Sequence, residues 1–287
     1  MISILIVHYN TPGLLRQTLR GFERCPPTVP FELVVVDNNP TQRVASWVAA
    51  EFPQVKLVVS EYNRGFGGAM NVAAAAAAGD YLFVFNPDIA IFPGVLEGLT
   101  SFLDENPDVG VVGPQLRNAD GTVQYSCYRF MTPAIVLYRR LPGAALFAKA
   151  RSVVSSYLME DADHSKVQDV DYLLGASLFM RRTLFQKLGG FDPKLFMYFE
   201  DQDFCRRTWM SGSRVVYYPL VHLVHYHRRE TAHGNVLRQL FQRLTRIQMR
   251  SAWYYFRKYK GQENPRRGGG WRGEGGDRER GANGPAS

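Results

Sequence analysis

Cysteine is nearly absent from this chain: Cys25, Cys127 and Cys205 are the only three in 287 residues. They are far apart, odd in number and show no C-x-x-C spacing, which excludes a disulfide framework and a cysteine zinc site and points to a reducing compartment. No secretory leader is expected, because Met1 runs straight into the apolar Ile2, Ile4, Leu5, Ile6 and Val7 with no basic stretch before them. No long apolar run exists either. The longest, Ala69 to Phe85, is broken by Asn71, Gly79 and Asp80, and a membrane span needs ~20 mostly apolar residues. These absences predict a soluble or peripheral protein in the cytoplasm or on the cytoplasmic face of the plasma membrane. There are no internal repeats.

Net charge is missing from most of the chain as well. The formal charge of +8 comes from residues 228–260, which hold nine Lys or Arg against Glu230 alone; residues 1–227 sum to −1 and the tail from Gly261 to +1. A neutral body with one basic segment argues for a local docking patch and against a protein-wide nucleic-acid surface.

What is present is an alternation of apolar runs and helical patterns. Strands are expected at Ile2–Tyr9, Phe31–Val36, Val55–Ser60, Tyr81–Phe85 and Val109–Gly113. Helices are expected between them at Thr11–Phe22, Val44–Glu51, Gly67–Ala78 and Gly94–Glu105. This predicts a doubly wound α/β sheet, which binds ligands at the carboxyl ends of its strands. Residues 117–168 are irregular, with Thr132–Arg151 read as a helix or a flexible loop. Order returns as a strand at Tyr172–Arg181, helices at Arg182–Leu188 and Glu200–Ser211, and a strand at Val215–Pro219. The longest helix is expected at Val236–Tyr259, and the Gly- and Arg-rich residues 261–287 read as disordered.

Several candidate residues lie at strand ends. Asp37 follows the second strand, where a carboxylate either accepts hydrogen bonds from a base or ribose or caps a helix. Asn63-Arg64-Gly65-Phe66-Gly67 is a glycine-rich turn opening a helix, suited to phosphate or simply to a turn. Asn86-Pro87-Asp88 follows the fourth strand and offers a hard carboxylate to a divalent cation, or an Asx turn. Glu200, Asp201 and Asp203 open a helix. Glu200 and Asp203 share a face, which leaves Asp201 the freest to act as a general base on a hydroxyl. His222, His225 and His227 cluster beside Arg228 and Arg229, as metal or phosphate ligands would.

The order of these motifs is more specific than any one of them. His8-Tyr9-Asn10, Asp37-Asn38, Asn63-Arg64-Gly65, Asn86-Pro87-Asp88, Gly175-Ala176-Ser177, Gly189-Gly190-Phe191-Asp192, Glu200-Asp201-Gln202-Asp203 and His225 follow one another over residues 2–227. The series closely resembles the family 2 inverting glycosyltransferases, in particular the rhamnosyltransferase-like branch that builds bacterial surface polysaccharides. The resemblance implies a GT-A fold, with a nucleotide half at about 1–115 and an acceptor half at about 116–227. It implies that Asp201 is the catalytic base and that Asp88 and His225 hold Mg²⁺ or Mn²⁺. His8, Asn10, Asp37, Asn63, Arg64, Gly65, Asn86, Gly175 and Glu200 would bind the substrates. The donor would be a nucleotide sugar, dTDP-rhamnose by analogy, and the acceptor a saccharide or a polyprenyl-diphosphate-linked one. One departure is visible: the metal motif carries one carboxylate, Asp88, rather than two.

On a helical wheel Arg243, Arg246, Arg250 and Arg257 form one stripe, and Leu237, Leu240, Phe241, Leu244, Ile247 and Tyr255 another. Such a helix either packs on the body or lies at an anionic membrane, where Trp253 and its neighbours would be interfacial. Two rival classes are weaker. A nucleotidyltransferase would carry a basic glycine-rich loop after the first strand, where His8-Tyr9-Asn10-Thr11-Pro12 stands. A nucleic-acid-binding protein would need a basic body and salt-dependent affinity for a generic oligonucleotide.

Overall fold

The computed structural model describes residues 1–226 and 243–268, apart from positions 40, 42 and 142. The first half alternates as expected: β1 (Ile2–His8), α1 (Pro12–Arg24), β2 (Phe31–Asp37), α2 (Ala45–Glu51), β3 (Lys56–Val59), α3 (Gly65–Ala76) and β4 (Tyr81–Phe85). Then come β5 (Ile89–Ala90), α4 (Val95–Glu105) and β6 (Val109–Arg117). Strands β3, β2, β1 and β4 are parallel neighbours, in register from Ile2↔Phe31 to His8↔Asp37 and with Ile2↔Tyr81. That register brings His8, Asp37 and Asn86 to one end of the sheet.

The apolar runs explain the layers. Alternate β1 residues face opposite sides. Ile4 and Ile6 pack with Leu15 and Leu19 of α1 and Leu99 of α4, whereas Leu5 and Val7 pack with Met70 and Ala73 of α3. Each such fully buried aliphatic side chain contributes about 1.5–3 kcal/mol, so both faces of β1 hold the sheet between helices.

The second half departs from a purely parallel sheet. After β7 (Val123–Gln124), β8 (Cys127–Tyr128), α5 (Pro133–Tyr138), α6 (Ala148–Tyr157), β9 (Gln168–Asp169) and β10 (Tyr172–Leu173) comes β11 (Ser177–Arg181). Strand β11 inserts antiparallel between β4 and β6, with Ser177↔Phe85 and Phe179↔Val112. After α7 (Arg182–Lys187) and α8 (Glu200–Met210), β12 (Arg214–His225) runs parallel to β6 and pairs antiparallel with β5. The sheet is therefore mixed, in the order β3-β2-β1-β4-β11-β6-β12-β5.

Three local expectations are corrected. The run Tyr172–Arg181 is two strands, because Leu174-Gly175-Ala176 turns the chain between them. Residues 132–151 hold two short helices joined through a 3₁₀ turn at Ala144–Leu146. The segment from Gly261 is ordered through α10 (Pro265–Gly268), which follows α9 (Arg243–Lys258). Asn264 and Arg266 are held by Asp171, and Arg206 donates to the Gln262 and Glu263 carbonyls. The remainder of that tail, His227, and the helix positions Leu237, Leu240 and Phe241 lie outside the described residues. Among the described residues no helix is long and apolar enough to cross a membrane.

Candidate active site

At the end of β1 and β2 a polar network replaces the apolar ladder. Thr11 N–H donates to His8 Nε2 (3.2 Å), so the buried imidazole carries its proton on Nδ1, which faces Asp37 Oδ1 at 3.2 Å. Asp37 is fully buried, and its other oxygen accepts from Val44 N–H (3.0 Å) at the start of α2. The carboxylate thus orders the turn between β2 and α2, and the His8 and Asp37 side chains are both buried. Buried Asn38 and Asn39 carry this network on to exposed Asn10 and half-buried Asn63. Asn39 Nδ2 donates to Asn10 Oδ1 (2.6 Å), and Asn10 holds a left-handed backbone at φ 58°. Asn38 Nδ2 donates to Asn63 Oδ1 (3.0 Å), and Asn38 Oδ1 accepts from Arg64 N–H (2.9 Å). Asn38 and Asn39 were visible as a pair beside Asp37, yet only this network gives them a part in the site.

Arg64 is half-buried, with its guanidinium 4.3 Å from the Tyr62 ring centroid and bonded to Ser60 Oγ and Tyr62 Oη. It is a fixed cation at the mouth of α3. The glycines beside it allow a close approach of backbone. At Gly65, φ is +73°, and a Cβ there would lie 2.0 Å from the Phe196 carbonyl oxygen, which accepts from Phe66 N–H (2.8 Å). Gly67 likewise abuts Phe191. The glycine turn is thus the seat on which segment 190–200 docks, helped by two bonds between the Asn71 amide and the Phe191 backbone (2.8 Å each).

That docked segment leads into Asp201. Tyr198 and Phe199 both adopt φ 68°, a conformation that costs about 1 kcal/mol or more for a bulky residue and persists only where surrounding contacts enforce it. It turns the chain so that α8 begins with its acids against the Leu174-Gly175-Ala176 turn. Gly175 N–H donates to Asp201 Oδ2 (3.0 Å), and Asp201 Oδ1 accepts from Gln202 N–H (2.8 Å). Loss of water around the carboxyl still raises its pKa, against these bonds. Burial, then the charge of Asp201, pushes Glu200 well above the carboxylate range. Its Oε2 finds no hydrogen bond and its Cβ packs toward Gly67. The two adjacent carboxyls are therefore unequal: Asp201 is partly exposed and held by amides, Glu200 is enclosed and favours its neutral form.

The same turn ties Asp201 to the metal candidates. Asn86 N–H donates to the Ala176 carbonyl (3.0 Å), and two residues on, Asp88 Oδ1 lies 3.4 Å from His225 Nε2. Strand pairing of His225 with Ile89 makes this meeting. Gln124 Oε1 holds His225 Nδ1 at 2.8 Å, the kind of outer partner that fixes which nitrogen faces a ligand. One carboxylate oxygen and one imidazole nitrogen suit Mg²⁺ or Mn²⁺ that keeps waters and binds diphosphate oxygens. Among the described residues no third His, Cys, Asp or Glu joins them. His222 is elsewhere, against the Phe92 ring. A cleft of about 560 Å³ opens beside the pair, between Leu14 and Gln17 of α1 and the Asn118–Asp120 turn.

Two supporting features had no local signal. Tyr128, Tyr157 and Tyr172 stack with centroids 5.0–5.3 Å apart about Tyr128. The Tyr172 hydroxyl is driven well up by burial, then by Tyr157 and Asp201, which puts the stack in the field of the Asp201 carboxyl. Second, Lys258 Nζ bridges Asp192 Oδ2 (2.7 Å) and Asp203 Oδ1 (2.5 Å), and Tyr259 Oη also donates to Asp203. Tyr255 and Ala252 of α9 pack on Leu195 and Phe199. The helix thus braces the loop before Asp201, while Arg243, Arg246, Arg250 and Arg257 stay exposed as its wheel predicted. Lys258→Met is expected to cost about 1–3 kcal/mol at neutral pH, since Asp203 is fully buried but retains Arg207. Burial raises the Asp192 pKa, yet Lys258 and its other donors hold it below the ordinary value. That contribution is present above the unfolded carboxylate pKa and disappears as pH falls through the folded one. Urea unfolding at pH 7 and at about pH 3 measures the difference, which should narrow in acid.

The glycosyl transferase family 2 model matches residues 3–189. The chain is 30% identical over 213 residues to N-acetylglucosaminyl-diphospho-decaprenol L-rhamnosyltransferase of Mycobacterium tuberculosis, covering 70% of this chain and 68% of that one. It is 35% identical over 86 residues to rhamnosyltransferase WbbL of Escherichia coli, 30% of either chain. Among solved structures it is similar to GalNAc-T7 crystallised with UDP, GalNAc and Mn²⁺, at TM-score 0.60 and 16% identity. That match covers 82% of this chain and 44% of the other, and it shows a shared GT-A fold.

Proposed function

Since the chain belongs to glycosyl transferase family 2, we propose that it is an inverting transferase that moves rhamnose from a nucleoside-diphosphate donor, dTDP-rhamnose, to a hydroxyl of a polyprenyl-diphosphate-linked acceptor at the cytoplasmic face of the membrane. One arrangement supports this most: a carboxylate held by two backbone amides, Asp201, stands across a single turn from the Asp88–His225 pair. The two sites serve the two ends of one displacement. The sugar and lipid assignment follows the mycobacterial relative, whose name states an L-rhamnosyl transfer to a diphospho-decaprenol.

Asp201 takes the proton of the acceptor hydroxyl as that oxygen attacks the anomeric carbon. The bond from the anomeric carbon to the diphosphate oxygen breaks on the opposite face, so configuration inverts. Asp88 and His225 would hold Mg²⁺ or Mn²⁺, which supplies positive charge toward the leaving diphosphate. Arg64 adds a fixed cation on the nucleotide side, and Asn10 and Asn63, held by buried Asn39 and Asn38, offer amides to the nucleotide.

Thermal unfolding against a panel of nucleotides, with Mn²⁺ or with chelator, tests the reading. A dTDP species near a hundredfold over its Kd should raise the midpoint by about 5–10 °C in Mn²⁺ and much less in chelator. Asp88→Ala should remove the metal-dependent part. A shift with UDP but none with dTDP would reassign the donor, and no shift with any nucleotide would sink the transferase.

A further inference from the structure

Between Met131 and Leu158 the chain leaves the site as an arm and returns. Its base is fixed, since Met131 N–H donates to Gln202 Oε1 (2.8 Å), next to Asp201. Val136 packs in the cluster built around Ala252 and Tyr255, and Arg140 donates to Gln248, so α5 lies along α9. Outward, the arm does the reverse of what a soluble surface does. Leu146 and Phe147 are 81% and 69% exposed, and Leu137 and Leu141 are exposed with them. On α9 the exposed apolar side chains are Met249, beside Gln248, and Trp253. Single exposed leucines are ordinary, whereas a contiguous group marks an interaction surface.

The charge around this group names the partner. Residues 133–158 contain Arg139, Arg140, Lys149 and Arg151 and no acid; residues 243–258 contain Arg243, Arg246, Arg250, Arg257 and Lys258 and no acid. Apolar side chains rimmed by cations of one sign match a layer that is apolar inside and anionic at its surface. We propose that the Leu137–Phe147 arm, with α9 beside it, inserts into an anionic lipid bilayer and sets the Asp201 side of the site against the membrane. The arm carries the insertion; the arginines of α9 hold the headgroups.

This deepens the reading of a lipid-linked acceptor, and the test separates the two. The full chain is sedimented with phosphatidylglycerol vesicles and with phosphatidylcholine vesicles, alongside a Leu146→Ser/Phe147→Ser variant. Transfer to a water-soluble short-chain acceptor is measured in parallel and reports on the transferase reading alone. Wild type should pellet with the anionic vesicles and far less with the neutral ones. The variant should partition at least about tenfold more weakly while keeping wild-type nucleotide binding. Equal partition of the two proteins, or no binding of wild type to anionic vesicles, overturns the proposal. A dimer that the variant dissolves, without vesicle binding, would make a second copy of the chain the occupant and overturn it too.

Discussion

Asp201→Asn is expected to lower kcat by between about 10²- and 10⁴-fold, the range for loss of a positioned general base, while donor affinity by calorimetry changes by less than about threefold. The amide keeps the shape of the carboxyl and one acceptor oxygen for Gly175 N–H. What it cannot do is take a proton. Wild-type turnover should also fall on the acid side with an apparent pKa above that of an ordinary carboxylate, because desolvation raises Asp201. The value belongs to the Glu200–Asp201 pair rather than to either group. Substantial turnover in the variant, or loss of donor binding with intact folding, would remove Asp201 from the role of base.

Gly65→Ala should be the most damaging small substitution in the nucleotide half. Its φ of +73° is left-handed, and the new Cβ would lie 2.0 Å from the Phe196 oxygen, a backbone atom that cannot swing aside. The left-handed backbone alone costs an alanine about 1–2 kcal/mol. The collision must then shift either α3 or segment 190–200, for a total of about 3 kcal/mol or more. Gly94 is the control: φ is +81° and nothing lies within 4 Å of its missing Cβ, so Gly94→Ala should show the backbone cost alone. Equal midpoints for the two variants in urea would refute the packing role. Because Asp201 follows directly on the displaced segment, Gly65→Ala should also lose turnover beyond its loss of stability.

These cases show where sequence reading stops. The strand ends carrying Asp37 and Asp88 were legible, because four or five apolar residues followed by Asp mark a buried strand leaving the core. The direction of β11 was not. Leu178–Met180 is as apolar as the centre of β4, and nothing in such a buried run records which way it runs. Gly65 was singled out for the backbone freedom that its φ of +73° uses, but the packing partner, Phe196, is 131 positions away. Asp37 and His8 were found by position, yet their burial depends on Val44 and Thr11 closing over them. The Lys258 bridge was out of reach, since a lysine in a basic helix looks like every other cation there until Asp192 and Asp203 are placed beside it.

That bridge also sets a timetable. A chain emerging from the ribosome presents β1 through β4, and so the polar network of Asp37 and Asn38, long before it presents Lys258. Domains fold as units during synthesis, N-terminal parts first. The nascent protein would therefore gain that polar network early and carry Asp192 and Asp203 without their lysine until α9 is made. Bracing of the loop before Asp201 thus waits until every strand of the sheet has been made.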